Sequence, residues 1–127
     1  MIKEVINIKD APEAIGTYSQ GIRAGNFIYT SGQIPLDPQT GTLISGDIKA
    51  EIRQVLNNLD AVLNGGGSSL ESTVKLTVFV TDLSYFPALN EVFKEYFTNK
   101  LPARSAVQVS ALPMGVRIEI DAVGTIE

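Results

Sequence analysis

The chain has 127 residues, 44% of them hydrophobic and 19% charged, a composition that excludes disorder and is large enough to give one domain, 1–127, a real core. It has no Cys and no His, which removes disulfides, thiolate nucleophiles, His-containing triads and the usual zinc sites. A net charge of −4 argues against a general nucleic-acid surface, though not against a local basic patch, and no apolar run reaches membrane length.

In chain order, Met1 to Ile8 is expected to form a short edge strand through Val5 and Ile6. This stretch lacks the charged-then-apolar layout of a signal, so the expected location is cytoplasmic. Asp10-Ala-Pro-Glu-Ala-Ile-Gly16 breaks the pattern into a loop. The segment from Thr17 to Gly21 leads into Ile22-Arg23, and Ala24-Gly25-Asn26 supplies turn chemistry before Phe27-Ile28-Tyr29-Thr30-Ser31, which predicts a β-hairpin. Residues 32–41 are dense in Pro and Gly and read as a surface loop of the kind that borders sites.

Ile48, Ile52, Val55, Leu56, Leu59, Val62 and Leu63 recur at helical steps, with Asp47 placed to cap the start and Asn64-Gly65-Gly66-Gly67 to end it. The glycine run follows a helix and lacks a phosphate-contacting Lys, so it is a helix stop and not a phosphate loop. Ser72 to Thr81 predicts a strand with Val74, Leu76, Val78 and Val80 facing the helix and Thr73, Lys75, Thr77 and Phe79 facing away. A second helix follows, capped by Asp82 or Ser84, with Pro87 in its first turn and Phe86, Leu89, Val92, Phe93, Tyr96 and Phe97 as its buried stripe. Beyond Pro102, a strand from Arg104 through Val107 and Val109, a turn at Leu112-Pro113-Met114-Gly115 and a strand over Val116 to Val123 read as two strands joined by a turn. In the last strand Val116, Ile118, Ile120 and Ala122 share one face, and Arg117, Glu119 and Asp121 the other.

The order β, β, β, α, β, α, β, β predicts a two-layer α+β domain with two helices on one face of a mixed sheet. The uncovered face would carry Thr73, Lys75, Thr77, Phe79, Arg117, Glu119, Asp121 and Val123, a blend that suits neither water nor a dry core. It is therefore expected to pack against copies of itself in a closed, symmetric oligomer. Arg104 and Glu119 form the candidate site. A guanidinium grips a planar carboxylate through parallel hydrogen bonds, and a nearby carboxylate holds or deprotonates a water, a pairing suited to hydrolysis of a small organic acid. Spacing alone leaves open that both are ordinary solvated residues.

Five segments resemble the Rid family (RidA, the YjgF-type proteins) in order and spacing: Ala14-Ile-Gly-Thr-Tyr-Ser-Gln-Gly21, Thr30-Ser-Gly-Gln-Ile-Pro35, Thr77-Val-Phe-Val-Thr-Asp-Leu83, Phe97 with Pro102-Ala-Arg-Ser105, and Ile118-Glu-Ile-Asp-Ala122. The resemblance covers essentially the whole chain. It implies a chorismate-mutase-like homotrimer with a six-stranded sheet and clefts between subunits. The implied activity is hydrolysis of enamine and imine intermediates (2-aminoacrylate/2-iminopropanoate and 2-iminobutanoate) to 2-oxo acids and ammonia, with no cofactor and no metal. By position, Arg104 would bind the substrate carboxylate and Glu119 would orient the attacking water. Tyr18 would close the cleft, Ser31 and Gly32 would line it, and Asn90 would stand nearby on the second helix. The family's usual Cys two residues after the Arg is here Ala106, and the resemblance implies that this position contributes mainly through its backbone. Two other roles stay open: a ribonuclease or translation inhibitor, as attributed to some relatives, and a non-enzymatic metabolite-binding module.

Overall fold

A computed structural model describes residues 2–126, so the part of the expected first strand that falls on Met1 lies outside the described residues. Six strands form one sheet: β1 (Lys3–Ile6), β2 (Gly21–Ala24), β3 (Phe27–Thr30), β4 (Thr73–Val80), β5 (Ala103–Gln108) and β6 (Ile118–Thr125). Their spatial order is β1-β2-β3-β6-β4-β5. Two helices, α1 (Ile48–Gly65) and α2 (Phe86–Tyr96), pack on one face, which is the expected α+β arrangement. No helix among the described residues is long and apolar enough to cross a membrane.

Helix α1 starts directly after Asp47, whose backbone is still extended and whose carboxylate accepts the Ala50 N–H at 2.8 Å. Ile52, Val55, Leu56, Leu59, Val62 and Leu63 are wholly buried against the sheet, each contributing about 1.5–3 kcal/mol of burial before entropy is counted. The helix stops at the glycine run because the chain there presses on the sheet: a Cβ on Gly66 would sit 2.6 Å from Ile6 Cδ1. Asp82 caps a 3₁₀ turn over Leu83–Tyr85 that runs straight into α2, whose own N-terminus has no side-chain cap. In α2 only Leu89 and Val92 are fully buried, while Phe86, Phe93 and Tyr96 are half-buried, so the stripe is narrower than its periodicity predicts.

The sheet corrects three expectations. First, β5 and β6 are not hairpin partners: β4 lies between them, parallel to β5 and antiparallel to β6. The crossover through α2 delivers β5 parallel to β4, as strand–helix–strand connections do, and the chain then passes back to the far side of β4. Second, a register shift between Thr73 and Lys75 inverts the start of β4, so that Thr73 is buried and Val74 is 41% exposed. Third, Arg117 does not share the open face with Glu119 and Asp121. It precedes β6, where strict alternation no longer applies, and its guanidinium reaches α1 to pair with Glu51 and donate to the Gly46 carbonyl at 3.0 Å.

Candidate active site

Direct sheet partners share a face, which fixes where the candidate residues point. Arg104 pairs with Leu76, a core residue on the helix side, whereas Glu119 pairs with Phe79, an odd number of residues further along β4. The two side chains therefore leave the sheet by opposite faces. Three residues of rise and two strand spacings put their Cα atoms about 14 Å apart. In one chain they line different cavities.

The open-face cavity, about 540 Å³, gathers Tyr18, Ser31, Gly32 and Glu119, together with Gln20, Pro113 and Met114. Glu119 lies across Gly32 so closely that a Cβ there would stand 2.8 Å from the carboxylate carbon and nearer still to Oε2. Burial, and then the neighbouring Asp121 carboxylate, raise the Glu119 pKa above the ordinary carboxylate value. Asp121 is raised as well, by burial, with a hydrogen bond to Thr77 acting the other way. Ser31 donates its hydroxyl to the Ser19 carbonyl at 2.5 Å, and the Tyr18 hydroxyl accepts the Ile15 N–H at 3.2 Å. The Ser31 bond ties the 15–20 segment to the cavity wall, and the Tyr18 bond closes a turn within that segment.

The helix-face cavity, about 460 Å³, gathers Asn90 and Arg104 with Phe93, Lys94, Phe97 and Leu101. Arg104 donates to the Asn90 side-chain oxygen at 2.8 Å and lies 5.5 Å over the Phe93 ring. Among the described residues it has no carboxylate partner. A guanidinium fixed by a neutral amide and a ring, with its charge uncompensated, is ready to receive an organic anion. Ala106 lines neither cavity; it follows Arg104 by two residues on the same side of β5, half-buried opposite Val78.

Four contributors were not singled out as site residues in the sequence. Gln20 is buried, accepts the Ile8 N–H at 2.7 Å and donates to the carbonyls of Ile8, Ala11 and Pro12, which fixes the loop forming one cavity wall. No periodicity marks such a residue. Pro113 and Met114 read only as a turn. Phe93 read as core, although its position three residues after Asn90 puts the two on one helical face and was the available signal.

The chain matches the family model described as endoribonuclease L-PSP over residues 8–126. A RutC family protein of Pyrococcus horikoshii is 52% identical, covering 96% of this chain and 97% of that one. The human 2-iminobutanoate/2-iminopropanoate deaminase is 46% identical, covering 97% and 90%. Among solved structures, a Yersinia pestis protein of the conserved Rid protein family superposes with a TM-score of 0.95 at 44% identity, covering 98% of this chain and all of that one. The chain belongs to the Rid family. Within this Rid chain the two half-open cavities, one acidic and one cationic, stand on opposite sides of an open sheet. The β5 edge is largely exposed, and so are Val5, Phe27, Tyr29 and Val107 on or beside the uncovered face.

Proposed function

We propose that the protein hydrolyses reactive 2-imino acids and their enamine tautomers, 2-iminopropanoate/2-aminoacrylate and 2-iminobutanoate, to 2-oxo acids and ammonia. The cleft forms where the Arg104 cavity of one copy meets the Glu119 cavity of the next in a closed ring of three. The observation that carries this reading is the Glu119 carboxylate: half-buried, raised in pKa, seated on Gly32 and accepting no hydrogen bond from any described residue. Such a group is left to hold a water. Identity to the human deaminase supports the same chemistry.

Arg104, steadied by Asn90 and Phe93, anchors the substrate carboxylate through charge-assisted hydrogen bonds worth about 1.5–3 kcal/mol. Ionised Glu119 accepts a proton from water as the water oxygen bonds to the electrophilic imine carbon. The C–N bond then breaks, the nitrogen leaves as ammonia after taking up a proton, and the carbonyl forms. No electron is gained or lost. The polar burden is small because an imine carbon is already electrophilic, so positioning supplies most of the effect.

The test is a threonine dehydratase run with and without the protein while 2-oxobutanoate appears. Faster appearance is expected, and it should vanish in Arg104→Ala and in Glu119→Gln alone yet return in part when the two variants are co-assembled. Unchanged rates with the parent protein would overturn the activity, and absence of recovery on co-assembly would overturn the shared cleft. The family model's description favours ribonuclease action as a second reading. The acidic net charge and the absence of His weigh against it.

A further inference from the structure

The turn entering β6 is built in an unusual way. Met114 sits in left-handed backbone at φ 58, followed by Gly115 at φ 69. A side chain with a Cβ disfavours that region and persists there only when its surroundings fix it. Here they do: Gly115 donates to the Leu112 carbonyl and Val116 to the Pro113 carbonyl, both at 3.2 Å. Just downstream, Arg117 pairs with the buried Glu51, donates to the Gly46 carbonyl and lies 5.5 Å over the Tyr85 ring. The outcome is a thioether that is 63% exposed yet held in the lining of the Glu119 cavity.

Ile15, 78% exposed, and Tyr18, 52% exposed, line the same cavity and are joined by the hydrogen bond from the Ile15 N–H to the Tyr18 hydroxyl. Three apolar groups therefore ring a cavity that contains the Glu119 carboxylate. A 2-imino acid held by its carboxylate, with its imine carbon at the Glu119 water, must project its own side chain away from both polar groups. On the Glu119 side of the cleft the apolar rim is placed to receive it, and an unbranched, adaptable Met suits a contact that varies in shape.

We propose that Met114 is a specificity-determining residue that gives the cleft a preference for 2-imino acids with bulky apolar side chains over the ethyl group of 2-iminobutanoate. The proposal rests on the deaminase reading above. Each additional methylene desolvated at the rim favours the larger substrate, and two of them amount to about a tenfold preference.

The experiment compares kcat/KM for the imine that an amino-acid oxidase makes from leucine with that for the imine that a dehydratase makes from threonine. The leucine-to-threonine ratio is expected to fall about tenfold in Met114→Ala and Met114→Gly and to hold in Met114→Leu. Met114→Gly should keep the parent's thermal midpoint or exceed it, because glycine accepts the left-handed backbone; the loss of preference then cannot come from unfolding. A ratio unmoved in both the Ala and Gly variants would overturn the role of Met114 while leaving the deaminase reading intact. A parent protein that speeds neither imine would overturn both.

Discussion

Gly32→Ala tests the acidic half of the cleft more sharply than removal of Glu119 itself. The added methyl carbon would stand 2.8 Å from Glu119 Cδ and 3.0 Å from Cγ, against an ordinary carbon–carbon approach of about 3.5 Å. The Glu119 backbone cannot yield. Its strand is paired to β4, and the next residue, Ile120, exchanges hydrogen bonds with Gln33 at 2.8 and 3.1 Å. The side chain must rotate instead, displacing the carboxylate by about 1 Å, a shift that costs roughly a hundredfold when the group positions a reacting water. We expect kcat in the dehydratase-coupled assay to fall about a hundredfold while KM changes little, because Arg104, the anchor proposed for the substrate carboxylate, lines the other cavity. Overpacking should also lower stability in urea by about 1 kcal/mol, and Glu119→Asp in the same background should recover that loss without recovering activity. A Gly32→Ala protein that matches its parent in rate and stability would refute the reasoning.

The other expectations concern the cationic half, the acid pair and the clamp. Asn90→Ala should raise KM about fivefold, the worth of one hydrogen bond to the guanidinium, and Arg104→Lys should raise it more because a point charge replaces a planar fork; steady-state kinetics on 2-iminobutanoate would check both. Turnover should fall as pH drops through the raised Glu119 pKa, and Asp121→Asn, which removes the negative neighbour, should move that falling limb to lower pH; a limb that stays or moves upward in a kcat/KM profile contradicts the assignment. Arg117→Met strands the Glu51 carboxylate, whose side chain is 9% exposed, and should cost about 2 kcal/mol in urea unfolding, with most of it regained when Glu51→Gln is added.

Local patterns were readable because the forces behind them are local. Helix α1 was legible from cap to glycine stop, since its burial repeat and the Asp47 bond both lie within a few residues of chain. The alternation of β6 from Ile118 onward was legible for the same reason. The placement of β4 between β5 and β6 was not, because it depends on a crossover through α2 that no short stretch encodes. The expected proximity of Arg104 and Glu119 does not hold within one chain, since it assumes a hairpin that would put them on adjacent strands. Arg117 departs from the expected face because alternation does not extend ahead of the strand's first residue, and Gln20 carries no local signal because its role lies in four backbone groups distant in sequence.

The exit of the guanidinium and the carboxylate through opposite sides of the sheet has a pharmacological corollary. In the ring proposed above, a small acid touching both groups would bridge two polypeptides, so a ligand that bound the assembled ring and not the separate copies would act as molecular glue, strengthening their association as its concentration rises above its Kd. Dissociation on dilution would then serve as a direct readout of occupancy, with no turnover needed.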